Sequence, residues 1–168
     1  RCITADHERM HMQDHRNHLL THRARLHREA DAAFAQWAAG YGVIQHSPQT
    51  QLRIFELAQL LVAQGRAASP ADVYRLLRAA DRVASAAMWL TVHMTYAQRV
   101  RWDGAALQPG EYKQTPEGHT GGSLNMVPAY AGYLAANSLT GHTRGWIMGQ
   151  GHSVAGVEAV NLLVGNML

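Results

Sequence analysis

The sequence predicts an α/β fold, in which a helix-rich N-terminal part leads into the start of a doubly wound parallel sheet. Three observations predict it. Residues 31–98 carry apolar positions at helical spacing. Arg144–Met148 is a short apolar run bounded by glycine, which fits the first strand of a parallel sheet. The order helix, strand, glycine-rich turn, helix across the last third is how such a sheet opens.

Taken in order, residues 1–29 form a His/Arg-rich leader, helical or disordered. Its His7, His11, His15, His18 and His22 recur at steps of four, four, three and four, one stripe on a helix. From Asp31 to Gly42 an alanine-rich helix carrying Phe34 and Trp37 is expected, ending at the glycines. Gln49 to Gln64 reads as an amphipathic helix with Ile54, Leu57, Ala58, Leu61 and Val62 on one face. Ser69-Pro70-Ala71-Asp72 is a helix start, with a serine cap, proline in the first turn and an acid beside it. Residues 83–98 are apolar on nearly every side, so that helix is buried on most faces. Its His93 reads either as a core histidine bonded to a carbonyl or as a group near a cofactor.

Residues 101–118 lose periodicity between the Asp103-Gly104 and Pro109-Gly110 turn signals and form a loop. Ser123 can cap a helix running to about Asn137, with Pro128 tolerated only in or near the first turn. Thr140-Gly141-His142 ends it. After the Arg144–Met148 strand, helix resumes at Ser153.

Composition narrows the function. The chain has 168 residues, 47% hydrophobic and 16% charged, enough for one globular domain. Residues 1–30 hold six arginines against four acids, and residues 31–168 hold nine basic against eight acidic side chains. That balance excludes a nucleic-acid footprint, which needs a clustered basic face. No apolar run reaches membrane-span length and no signal peptide begins the chain, so a cytoplasmic protein is expected. The one cysteine, Cys2, excludes an internal disulfide. Both ends read as interior points of a longer protein.

The chemistry gathers in two turns, Gly118-His119-Thr120-Gly121-Gly122 and Gly149-Gln150-Gly151-His152, whose histidines stand 33 residues apart. Each opens onto a helix, and a helix start favours negative charge because its first N–H groups lack internal partners. Glycine lets backbone approach a ligand closely. The pattern suggests donors gathered around an anion. His46 and His142 read as surface turn residues.

The run Glu117–Tyr130, followed by Trp146-Ile147-Met148-Gly149-Gln150-Gly151-His152, resembles the N-terminal part of thiamine-diphosphate-dependent sugar-phosphate enzymes, the transketolases and phosphoketolases. The resemblance is specific over residues 117–160 and weaker upstream to about Ala30. It implies that residues 30–168 are the N-terminal part of a thiamine-diphosphate-binding domain and that the full-length protein is a homodimer acting on ketose phosphates such as xylulose 5-phosphate. The apolar helix 83–98 and the segment 124–137 would then be candidates to face the partner. By the same resemblance His152, with Gly149 and Gly151, grips the cofactor diphosphate. His119 is the catalytic group near thiazolium C2, where the carbanion chemistry belongs to the cofactor. Cleavage of the ketose C2–C3 bond then leads to two-carbon transfer or phosphorolytic release.

The family's Mg²⁺ site uses a Gly-Asp-Gly motif with a downstream asparagine. Nothing from Ser153 to Leu168 supplies it, and Glu158 matches neither that role nor that of the family's activating glutamate. Metal ligands are therefore expected downstream. Three other readings stand beside it: a related sugar-phosphate epimerase sharing these turns, a non-catalytic helical module whose His-rich leader binds zinc or nickel, and a truncated, non-catalytic paralogue that pairs with a complete subunit.

Overall fold

The computed structural model describes the backbone of residues 2–101, 103–149 and 151–167, with side chains from Arg9 onward. Among the described residues six helices follow one another: α1 (Cys2–Ala30), α2 (Ala32–Ala38), α3 (Pro48–Ala63), α4 (Pro70–Tyr96), α5 (Thr120–Thr140) and α6 (Val154–Val164). Short 3₁₀ turns occupy Pro109–Glu111 and Gly151–Ser153. The chain divides into two compact units, residues Arg1–Gly40 with Gln45–Leu77, and Tyr41–Ile44 with Arg78–Leu168.

In the first unit local chemistry sets the helix starts. Asp31 Oδ1 accepts from the Ala33 and Phe34 amides at 2.9 and 3.0 Å and begins α2. Ser47 does the same for α3 through the Thr50 amide, and Ser69 accepts from the Asp72 amide just ahead of Pro70. The core is aromatic. Phe34 is fully buried and meets Tyr74 and Phe55 edge-on, while Trp37 stacks on His46 at 4.4 Å. The amphipathic face of α3 is centred on Leu52, Ala58 and Leu61, and Leu57 is left exposed. The leader is helical, and its His11, His15, His18 and His22 are exposed along it. The His7 and Cys2 side chains lie outside the described residues.

The second unit packs the later part of α4, α5 and α6 around Ala87, Leu90, Val127, Ala131 and Val160. Gly156 lies so close to α5 that a β-carbon there would stand 2.3 Å from the Ser123 carbonyl oxygen. Tyr130 ties the pair at a second point by donating to Asn161 Oδ1 at 3.0 Å. α5 begins a turn earlier than expected: His119 is its N-cap position and Ser123, the expected cap, is buried within it. Pro128 therefore sits mid-helix. It is exposed, and as proline it leaves a carbonyl on the preceding turn without its helical donor. The 97–119 loop is pinned by an isolated bridge between Ala97 and Tyr112, and Lys113 Nζ caps the end of α4 by donating to the Met94 carbonyl at 2.7 Å.

The expected α/β fold with a doubly wound parallel sheet is incorrect. The molecule is all-α, 70% helical, with no strand among the described residues. The two bridges present, Tyr41 with Ile44 and Ala97 with Tyr112, are isolated and antiparallel. Arg144–Met148 does keep a two-residue alternation, with Trp146 and Met148 packed on the core and Ile147 at 96% exposure. A strand, however, needs a neighbour to bond its amides and carbonyls. Here aromatic packing holds the segment instead. Trp146 lies 5.1 Å from both the Tyr130 and the Tyr133 rings, and the Tyr133 hydroxyl donates to the Arg144 carbonyl.

Candidate functional site

The turn that carries His119 starts at Gly118, whose φ of +125° is open to glycine and strained for other residues. Its flanks rest on the last turn of α4. A β-carbon at Gly118 would touch Thr95 Oγ1 at 3.4 Å, and Thr120 Oγ1 donates to the Tyr96 hydroxyl at 3.3 Å. This places His119 at the head of α5, where the Ser123 amide bonds the His119 carbonyl at 3.1 Å. No side chain caps this end. The amides of Thr120, Gly121 and Gly122 thus have no acceptor within the helix.

His152 occupies the 3₁₀ turn directly ahead of α6, whose N-cap residue Ser153 also makes no side-chain cap bond. The two helix starts lie side by side. A β-carbon at Gly122 would stand 2.7 Å from both His119 Cδ2 and Ser153 Oγ. Across that gap the two imidazoles meet edge to face, ring centroids 4.5 Å apart and planes at 71°. Both histidines are exposed. Gly149 and Gly151 are exposed too, and a β-carbon at either would meet nothing within 4 Å. The structure thus brings the sequence-predicted His119 and His152 together, with Gly151 opening the turn that carries His152.

Chemically, this cluster combines two imidazoles with two helix starts whose N-cap residues make no side-chain hydrogen bond among the described residues. Each helix start carries a partial positive charge. The arrangement suits an anion with several oxygens, such as a phosphate or diphosphate. Among the described residues no group of three or more His, Cys, Asp or Glu side chains could hold a metal ion, and this includes the exposed histidines of α1.

No family model matches the chain, and no curated protein or solved structure does either. The functional reading therefore rests on the residues themselves.

Three residues that matter here were missed from the sequence. Gly122 is the gap that admits the His119 ring, Ser153 is its far wall, and Tyr96 steadies the turn from α4. Gly122 stands in the first glycine–histidine turn and Ser153 directly follows the second, but nothing in the sequence marks either as a wall of the site, and Tyr96 lies in no motif. His93 takes the core alternative: it is buried, stacks on Trp89 at 3.7 Å, and its Nδ1 lies 3.1 Å from the Trp89 carbonyl. Nε2 is buried with no partner among the described residues. His142 is an exposed turn residue as expected, whereas His46 is half-buried against Trp37. No helix among the described residues is long and apolar enough to cross a membrane.

Proposed function

We propose that this chain is the N-terminal portion of a thiamine-diphosphate-dependent enzyme acting on ketose phosphates, phosphoketolase-like or transketolase-like. One observation carries the reading. Two histidines 33 residues apart in sequence come within 4.5 Å of each other, at two uncapped helix starts and open to solvent. The chemistry of that donor set fits a diphosphate tail. His152 and the amides at the start of α6 would hold the phosphate oxygens, with Gly151 leaving room for close approach. His119, at the head of α5, would donate to the substrate's carbonyl or hydroxyl oxygen near the reacting carbon. The cofactor, when bound, supplies the carbanion chemistry itself. The described residues do not fit Mg²⁺, so its ligands belong to a part of the protein beyond those residues.

Calorimetric titration of the chain tests this. Thiamine diphosphate and pyrophosphate should bind, thiamine without its diphosphate should not, and His152→Ala should weaken the first two at least about ten-fold, roughly 1.4 kcal/mol. Equal affinity for thiamine and thiamine diphosphate would defeat the proposal. Xylulose 5-phosphate should not be turned over by the chain alone. Product analysis of the full-length protein with and without inorganic phosphate separates phosphorolytic cleavage from two-carbon transfer.

A further inference from the structure

The second unit also holds a groove of about 690 Å³ whose walls include neither His119 nor His152. One wall is a face of α4 carrying Arg82, Ala86 and Trp89, at steps of four and three residues, so they line up over about 10 Å. Tyr41, Asp103 and Leu163 also line it.

Tyr41 is fixed in place. Tyr41 and Ile44 exchange backbone hydrogen bonds of 3.1 and 2.9 Å around a tight turn. Gly42, at φ +57°, lies so close to α4 that a β-carbon would stand 2.1 Å from Ser85 Oγ. The Val43 amide donates to that same oxygen at 3.4 Å. On α4 His93 stacks on Trp89 and holds the indole in place. Such a groove does not have to be built on binding, which lowers the ordering cost.

Its charge is uneven. Arg82 is exposed, its guanidinium lies 5.3 Å from the Tyr41 ring centroid, and no ion pair engages it among the described residues. The one carboxylate in the lining, Asp103, is already taken: Arg101 donates to both its oxygens, at 3.2 and 2.6 Å. The groove therefore offers two aromatic side chains and one uncompensated cation, at a volume ordinary for a small-molecule site. We propose that it binds a planar aromatic anion, the ring lying along Trp89 and Tyr41 and the charged group pairing with Arg82.

Calorimetry on the whole chain with 2-naphthoate, 2-naphthylmethanol and acetate tests this. Naphthoate should bind, the neutral alcohol should bind at least ten-fold more weakly, and acetate should give no heat. Arg82→Gln should cost naphthoate at least ten-fold and abolish its advantage over the alcohol, while Arg82→Lys, which keeps the charge, should stay within a few-fold. Arg82 is exposed, so both variants should keep the parent's far-ultraviolet circular dichroism. The proposal is overturned if naphthoate does not bind, if acid and alcohol bind alike, or if Arg82→Gln changes nothing. It is equally overturned if His119→Ala abolishes naphthoate binding, since that would place the ligand at the histidine turns.

Discussion

At Gly122 and Gly156 the neighbours leave no room for a side chain, but what would have to yield differs. A β-carbon at Gly156 would press on the Ser123 carbonyl at 2.3 Å, and backbone inside a helix pair cannot step aside. Gly156→Ala should therefore lose about 1–3 kcal/mol in denaturant titration, the range typical of overpacking. At Gly122 the obstacles are the ends of two side chains, His119 Cδ2 and Ser153 Oγ. These can move, and alanine suits a helix better than glycine by about 1 kcal/mol. Gly122→Ala should then leave the melting temperature unchanged or raised, yet weaken pyrophosphate binding several-fold by pushing on Ser153 and so on the adjoining turn that carries His152. His93 gives a sharper test. The Trp89 carbonyl can only accept, so Nδ1 must carry a proton. Nitrogen-15 NMR should show that Nδ1–H, and an unprotonated Nδ1 would contradict the geometry. Gly122 stands in the first glycine-bracketed turn without its close approach showing there, and Gly156 looks like any other of the 15 glycines, so only the partner helix distinguishes these two. The histidines could be singled out, because each sits in a glycine-bracketed turn ahead of a helix.

The Ser69-Pro70 start is legible because a single residue decides it within three residues of itself. Asp31 and Ser47 act in the same way, but from sequence those two starts are placed only to within two residues, with neither cap named. Asp31→Ala should cost about 1 kcal/mol through the two amide bonds it removes from α2, read as a lower denaturation midpoint with unchanged slope. The start of α5 was misjudged because Ser123 fits a cap equally well, and only packing against α6 draws it inside. Arg144–Met148 was misjudged for a related reason. A short apolar run bounded by glycine reports that side chains pack on a core, as Trp146 and Met148 do, and not whether another strand is bonded alongside. The segment is held by Tyr130, Tyr133 and Trp146, aromatic residues contributed partly by α5. That pairing is tertiary and leaves no local mark.

At the scale of the molecule, acid and alkali should act on different units. In the second unit Arg101 hydrogen-bonds Asp103 and holds its carboxyl at about 2 against an ordinary 3.8; Glu111 is lowered as well, first by the Gln108 amide and then by Arg101. A lowered folded value contributes stability that is present above the ordinary pKa and lost as pH falls through the folded one. Ordering of the 97–119 loop should accordingly fade between about pH 4 and pH 2, and Arg101→Gln should remove much of that dependence. In the first unit burial, followed by the charge of Asp31, pushes the Tyr74 hydroxyl from 10.0 up to about 12. Its contribution has the opposite sense: complete below pH 10 and lost as pH rises through about 12. Near-ultraviolet circular dichroism should record the loss of the Phe34–Trp37–Tyr74 packing there, and Tyr74→Phe should extend the alkaline limit. A limit unmoved by that substitution would assign the transition to another group.

Ile147, bare to solvent between the two histidine turns, makes that stretch the natural place for a protease to nick. A brief thermolysin digest should sever the chain there, while α5 and α6 stay clasped through the Gly156 approach and the Tyr130–Asn161 bond. The two fragments should then co-elute with both imidazoles still facing each other, so that covalent continuity between the turns would prove dispensable for the pairing.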